Sequence, residues 1–138
     1  MIFDYKAFPC SNGIIYRPVL SIKIYIGARN FTTLAVLDTG CDKTLLNKDI
    51  ADNLYVDLKK CPKGSTCGVN GSPIITYESE IDFEIPGLSS KIQKAQISYA
   101  KVSNVGILLG HIGFFEYFNV RFDTAQKQFE IIQNAKIN

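Results

Sequence analysis

The chain is short of the residues on which several common chemistries depend. It has a single histidine, His111, in 138 residues, and no nucleophile-elbow motif accompanies it, so a Ser-His-Asp hydrolase gains no support. Zinc fares no better. Five residues separate Cys61 from Cys67, more than a zinc knuckle uses, and one histidine leaves the ligand set incomplete. No metal and no cofactor is expected. An excess of one charge is also missing: 15 basic and 13 acidic residues are spread along the chain for a net charge of +2, with no basic run, which gives nucleic-acid binding no support. No apolar run approaches membrane-spanning length, and the opening Met1-Ile2-Phe3-Asp4-Tyr5-Lys6 has an acidic residue early and no sustained apolar core. The expectation is a cytoplasmic protein, not bound to membrane, whose four cysteines (Cys10, Cys41, Cys61 and Cys67) are free thiols.

Hydrophobic residues make up 46% of the chain and charged residues 20%, a globular balance, and the length suffices for one domain with a real core. There is no repeat and no low-complexity segment. Residues 1–13 are of mixed character, with Pro9 and an Asn12-Gly13 turn signal, and read as an N-terminal arm. Leu20, Ile22, Ile24 and Ile26 then alternate with Ser21, Lys23 and Tyr25 as a half-buried strand, and Phe31 to Leu37 returns as a second. A short strand over Thr44 to Leu46 leads to Asn47, an N-cap for a brief helix over 48–54 with Ile50 and Leu54 inward. Ile81, Phe83 and Ile85 point inward between Glu80, Asp82 and Glu84. Pro86-Gly87 suits a type II turn. Ala95, Ile97 and Tyr99 alternate with Lys94, Gln96 and Ser98, and Ile107 to Leu109 reads as a central strand.

His111 to Phe118 predicts a second helix, with Ile112, Phe115 and Phe118 on one side, although Gly113 weakens it by about 1 kcal/mol relative to Ala. Residues 119–138 form a terminal hairpin and tail, with Val120, Phe122, Phe129 and Ile131 flanking a turn at Asp123 to Lys127. Many short strands with one or two short helices predict a mainly β fold, closed or barrel-like.

Within this frame the stretch Leu34 to Asn47 stands apart. An apolar run, Leu34 to Leu37, ends in the carboxylate of Asp38, followed by Thr39, Gly40 and the apolar pair Leu45-Leu46. A carboxylate at the end of a buried strand must be hydrogen-bonded, paired or protonated. The triplet Asp-Thr-Gly alone arises by chance in roughly a few per cent of chains this long. Its context is more specific: Leu37 before it, Thr44 four residues after Gly40, and Ile107-Leu108-Leu109-Gly110 downstream.

From about Arg17 to Ile131 the chain resembles the retropepsin-like aspartic proteases, and looks closer to their cellular and bacterial members than to viral ones. The resemblance implies a single-domain protease fold and an aspartic endopeptidase. One Asp-Thr-Gly in 138 residues then implies a homodimer in which two Asp38 carboxylates activate water to cleave a peptide or protein substrate. Asp38, Thr39 and Gly40 would be catalytic. Gly40 and Asp42, with the flap residues Gly68, Val69, Asn70 and Gly71, would bind substrate. The Asn70-Gly71 pair suits a tight hairpin turn, and Thr44, Gly110 and His111 would support the site.

Two positions depart from the family pattern. Cys41 replaces the usual Ala and reads either as a small buried hydrophobe or as an oxidation-sensitive switch. His111 replaces the Arg that follows the family's Gly, which in retropepsins pairs with the acid found here as Asp42. His111 is therefore expected near Asp42, or else unpartnered. An alternative to the enzyme is a catalytically silent protein-binding or dimerisation module on the same fold.

Overall fold

The computed structural model describes residues 1–68, 70–101 and 106–135. The alternation at the front of the chain produces β4 (Val19–Ile26), which buries Leu20, Ile22 and Ile24, and the turn through Gly27, at φ +58°, returns the chain as β5 (Arg29–Leu37). These strands pair antiparallel with Val19 opposite Val36. β10 (Ile107–Leu109) then lies parallel to β5 and antiparallel to β6 (Leu45–Asn47), so it is inserted between two strands that are consecutive in sequence. The loop joining β5 to β6 therefore passes the end of β10. That loop carries Asp38.

β6 runs parallel to β9 (Lys91–Ala100), which pairs antiparallel with β8 (Pro73–Glu84), and β8 pairs in turn with β7 (Lys63–Cys67). A further pairing of β8 with β4, Ile24 opposite Phe83, closes the sheet into a ring. Ile22, Ile24, Leu46, Ile107 and Tyr99 fill its interior, and burying each aliphatic side chain contributes about 1.5–3 kcal/mol. The helix α1 (Lys48–Asn53) starts where expected: the Asn47 side chain accepts the Asp49 N–H at 3.1 Å, and Ile50, Ala51 and Leu54 are buried. Leu88 N donates to the Ile85 carbonyl across Pro86-Gly87, and Gly87 has φ +95°, which suits the predicted type II turn. The terminal hairpin, β11 (Phe118–Asp123) and β12 (Gln128–Gln133), turns at Asp123, whose carboxylate accepts the Gln126 N–H.

Four features depart from the sequence reading. The N-terminal arm is built of strands: β1 (Ile2–Asp4) pairs with β12, while β2 (Lys6–Cys10) and β3 (Gly13–Arg17) form a hairpin with the Asn12-Gly13 signal at its turn. Ser98, expected outward, is buried because both faces of β9 are covered there. The flap turn spans residues 68–72, closed by Gly68 N donating to the Ser72 carbonyl at 2.9 Å, and is wider than a two-residue turn.

The fourth is the expected helix over 111–118: residues 111–117 are a chain of turns, and Phe118 already belongs to β11. Gly113 sits at φ +95°, and a Cβ there would lie 2.3 Å from the Gln96 carbonyl oxygen. The N–H groups of His111 and Ile112 donate to the carbonyls of Cys41 and Asp42. Phe114 is consequently buried, stacked on Phe83 and tilted against Phe118, which is buried as expected, while Ile112 faces out.

Candidate active site

β5 delivers Asp38 to the surface at the end of a strand that buries Ala35 and Leu37 on one face while Leu34 on the other is exposed, so the apolar run 34–37 is buried on one side only. Asp38 N still donates to the Leu109 carbonyl at 3.0 Å, so β10 holds the backbone one residue beyond the strand. The chain then folds back: Cys41 N donates to the Asp38 carbonyl at 3.1 Å, and Gly40 N donates to Asp38 Oδ1 at 3.0 Å. The half-buried carboxylate is thus aimed by its own loop. A Cβ at Gly40 would stand 3.3 Å from Asp38 Oδ1, so a side chain there would crowd the carboxylate.

Thr44 and Gly110 form the support. Thr44 is buried, and its Oγ1 accepts the Gly110 N–H at 3.1 Å. Gly110 must be glycine for reasons of space, since a Cβ would lie 2.3 Å from the Lys43 carbonyl oxygen and 2.6 Å from that of Cys41. Thr44 N also donates to the Ile112 carbonyl, so residues 41–44 and 110–112 are strapped backbone to backbone.

His111 belongs to the same strap, with a partner the sequence did not indicate. Its Nε2 meets the Thr39 carbonyl oxygen at 2.7 Å. A carbonyl only accepts, so Nε2 carries the hydrogen and donates. Among the described residues no ion pair joins His111 to Asp42. The ring thus bonds the backbone of the Asp-Thr-Gly loop in place of the expected Asp42 side chain.

Cys41 is partly buried beside Asp38, with Sγ donating to the Lys43 carbonyl at 2.8 Å. Burial raises its pKa. The negative charges of Asp38 and Asp42 add to that rise. The rise leaves Cys41 with less thiolate than an ordinary cysteine carries.

Asp38 opens on a cleft of about 790 Å³. Gly40, Asp42 and Lys43 line one wall, and Thr66, Gly68 and Ile74 of the β7–β8 hairpin line the facing wall. Asp38, Gly40, Asp42 and Gly68 are thereby brought together. Asn70 and Gly71 lie at the hairpin tip outside the lining, and Val69 lies outside the described residues. The reading missed Lys43, Leu108 and Lys101 as cleft residues. Lys43 was findable as the neighbour of Thr44 on the Asp38 loop, whereas Lys101 carried no local signal. Among the described residues no group of three His, Cys, Asp or Glu side chains is placed to hold a metal ion, and no helix is long and apolar enough to cross a membrane.

No family model matches the chain, and no curated protein matches it in sequence. Solved structures do. A retropepsin-like aspartic protease from Rickettsia conorii superimposes with a TM-score of 0.62 at 18% identity, over 96% of this chain and 97% of that one. The fold is retropepsin-like. EIAV protease, solved with the inhibitor HBY-793, matches with a TM-score of 0.51 at 21% identity, over 69% of this chain and 82% of its own. The bacterial structure matches the retropepsin-like fold from end to end, while the viral one matches a smaller share.

Proposed function

We propose that the chain is an aspartic endopeptidase, active as a homodimer. The observation that carries this reading is the placement of Asp38: a carboxylate oriented by Gly40 N–H, at a strand end, facing a hairpin across an open cleft. Cleaving an amide without a metal or a nucleophilic side chain requires a base to activate water and an acid to protonate the leaving nitrogen. Two carboxylates that share one proton supply both, a division long established for aspartic proteases in general. At about 4 Å and an effective dielectric near 20, two ionised carboxylates repel by about 4 kcal/mol, roughly three pKa units, so one proton is retained.

The chain carries a single such loop, and the second carboxylate comes from Asp38 of another copy across a two-fold axis. Thr39, exposed beside it, faces that axis. Substrate lies in the cleft as an extended strand under the residue 68–72 hairpin, which serves as a flap that excludes water. Asp42 and the flap backbone contact the peptide, and Thr44, Gly110 and His111 hold the loop. All four cysteines are free, which supports work in a reducing compartment such as the cytoplasm. The residues form one catalytic domain, with no cofactor required.

Cleavage of a mixed peptide library across acidic to neutral pH, by the unmodified protein and by Asp38→Asn at concentrations that hold a dimer, tests the proposal. Cleavage that disappears in Asp38→Asn is the expected result. A folded dimer that cuts nothing would favour a silent binding module.

A further inference from the structure

One carboxylate connects the Asp38 loop to the root of the flap hairpin. Glu78 on β8 accepts hydrogen bonds from Thr76 Oγ1 and Ser98 Oγ, each at 2.6 Å, and from Lys43 Nζ at 3.1 Å. The elements that meet there are β8, β9 through Ser98, and the loop ahead of β6 through Lys43. The neighbouring strand β7 contributes Gly64, where a Cβ would stand 2.5 Å from Glu78 Oε1 and 3.0 Å from Thr76 Oγ1. The carboxylate therefore occupies the space a side chain on β7 would take. Lys43 lines the cleft and lies five residues after Asp38 in the loop strapped to Gly110 and Ile112.

We propose that Glu78 is a positioning residue: through Lys43 it fixes the root of the flap hairpin relative to the Asp38 loop and so sets the width of the cleft. Two hydroxyl donors and one ammonium meet on a single carboxylate, and each partner sits on a different part of the frame the flap must hold to. Charge-assisted hydrogen bonds of this kind are stronger than neutral ones.

Acid is the natural probe. Among the described residues the charged group facing Glu78 is Lys43; β8 and β9 present hydroxyls, and β7 presents no side chain. Burial by itself raises the Glu78 pKa, but the bonds from Ser98, Thr76 and Lys43, together with the Lys43 charge, outweigh it and hold the group below its ordinary 4.5. The tie is intact above the ordinary value and is lost as pH falls through the lowered one.

The test is NMR titration of the full chain from about neutral to about pH 3, with a kinetic arm that alone rests on the peptidase reading. The amides of Gly68 and Gly71 on the flap, and of Thr44 and Leu45 on the loop, are expected to share a titration step below the ordinary glutamate value. Glu78→Gln removes that step at both places, and Lys43→Met, which leaves the carboxylate in place, raises its midpoint. In the kinetic arm, Glu78→Gln raises KM about tenfold with kcat nearly unchanged, the mark of lost flap binding.

Steps that persist in Glu78→Gln, or a midpoint unmoved by Lys43→Met, would overturn the proposal. So would a fall in kcat at constant KM. A wild-type protein that cleaves nothing would count against the peptidase alone, because the titration decides the tie without it.

Discussion

His111 Nε2 donates to the Thr39 carbonyl oxygen across 2.7 Å, joining the turn after β10 to the middle residue of the Asp-Thr-Gly loop. Removing the ring in His111→Ala should cost about 1 kcal/mol in urea denaturation, the typical worth of one such bond, and should lower cleavage because the Asp38 loop loosens. His111→Gln keeps a donor and should recover part of both. An Asp42→Asn variant that reproduced the His111→Ala defect would show that the expected pairing with Asp42 governs after all.

The Thr44 to Gly110 bond is buried and should be less forgiving. Thr44→Val keeps the shape but leaves the Gly110 N–H without its acceptor, a loss of about 1–3 kcal/mol. Gly110→Ala should be at least as severe, because the added methyl meets the backbone oxygens of Lys43 and Cys41 and not a side chain that can turn away. Thermal unfolding of the two variants checks both, and an unchanged melting temperature in either would contradict the strap.

Cys41 should behave as a small, half-buried apolar residue. Its raised pKa means less thiolate at neutral pH than an ordinary cysteine, so mass mapping of alkylation should find the exposed Cys10 and Cys67 modified first. Cys41→Ala should retain cleavage. If peroxide inactivates the unmodified protein and spares Cys41→Ala, the oxidation-switch reading is the correct one.

Much of this frame was legible because it rests on local chemistry. The alternation at Leu20, Ile22 and Ile24 and at Ile81, Phe83 and Ile85, the Asn47 cap, and the turn at Asp123 each depend on neighbours within a few residues. What escaped depends on distant segments. The turns at 111–117 arise because Gln96 and the 41–42 carbonyls crowd and capture that backbone, and Phe114, not Phe115, then takes the core position. Ser98 is buried because both faces of β9 are covered there, and its hydroxyl bonds Glu78, twenty residues away in sequence. The β2–β3 hairpin hid behind Pro9, which reads as a strand breaker yet is tolerated in a strand at a sheet edge. At the site, Asp38 stood out by its cost at a strand end, whereas the partner of His111 followed only from the three-dimensional path of the loop.

The pH dependence of stability should carry the signature of Glu78. A carboxyl whose pKa is lowered on folding contributes stability that is present above its unfolded value and is lost as pH falls through the folded one. Unmodified protein should therefore be more stable than Glu78→Gln near neutrality, and the gap should close as pH falls below the ordinary 4.5. Urea midpoints for the two proteins across that range check the sign. A gap that widens in acid would contradict it.

The central claim is that two Asp38 carboxylates from two copies make one catalytic site. The direct measurement is cleavage by unmodified protein and Asp38→Asn, mixed in equal amounts at fixed total concentration and allowed to exchange subunits. If both carboxylates are needed, wild-type dimers fall to about a quarter of the total, and activity should fall to about a quarter of that of the unmixed protein. Activity of about one half would mean that each chain works alone, and would contradict the account.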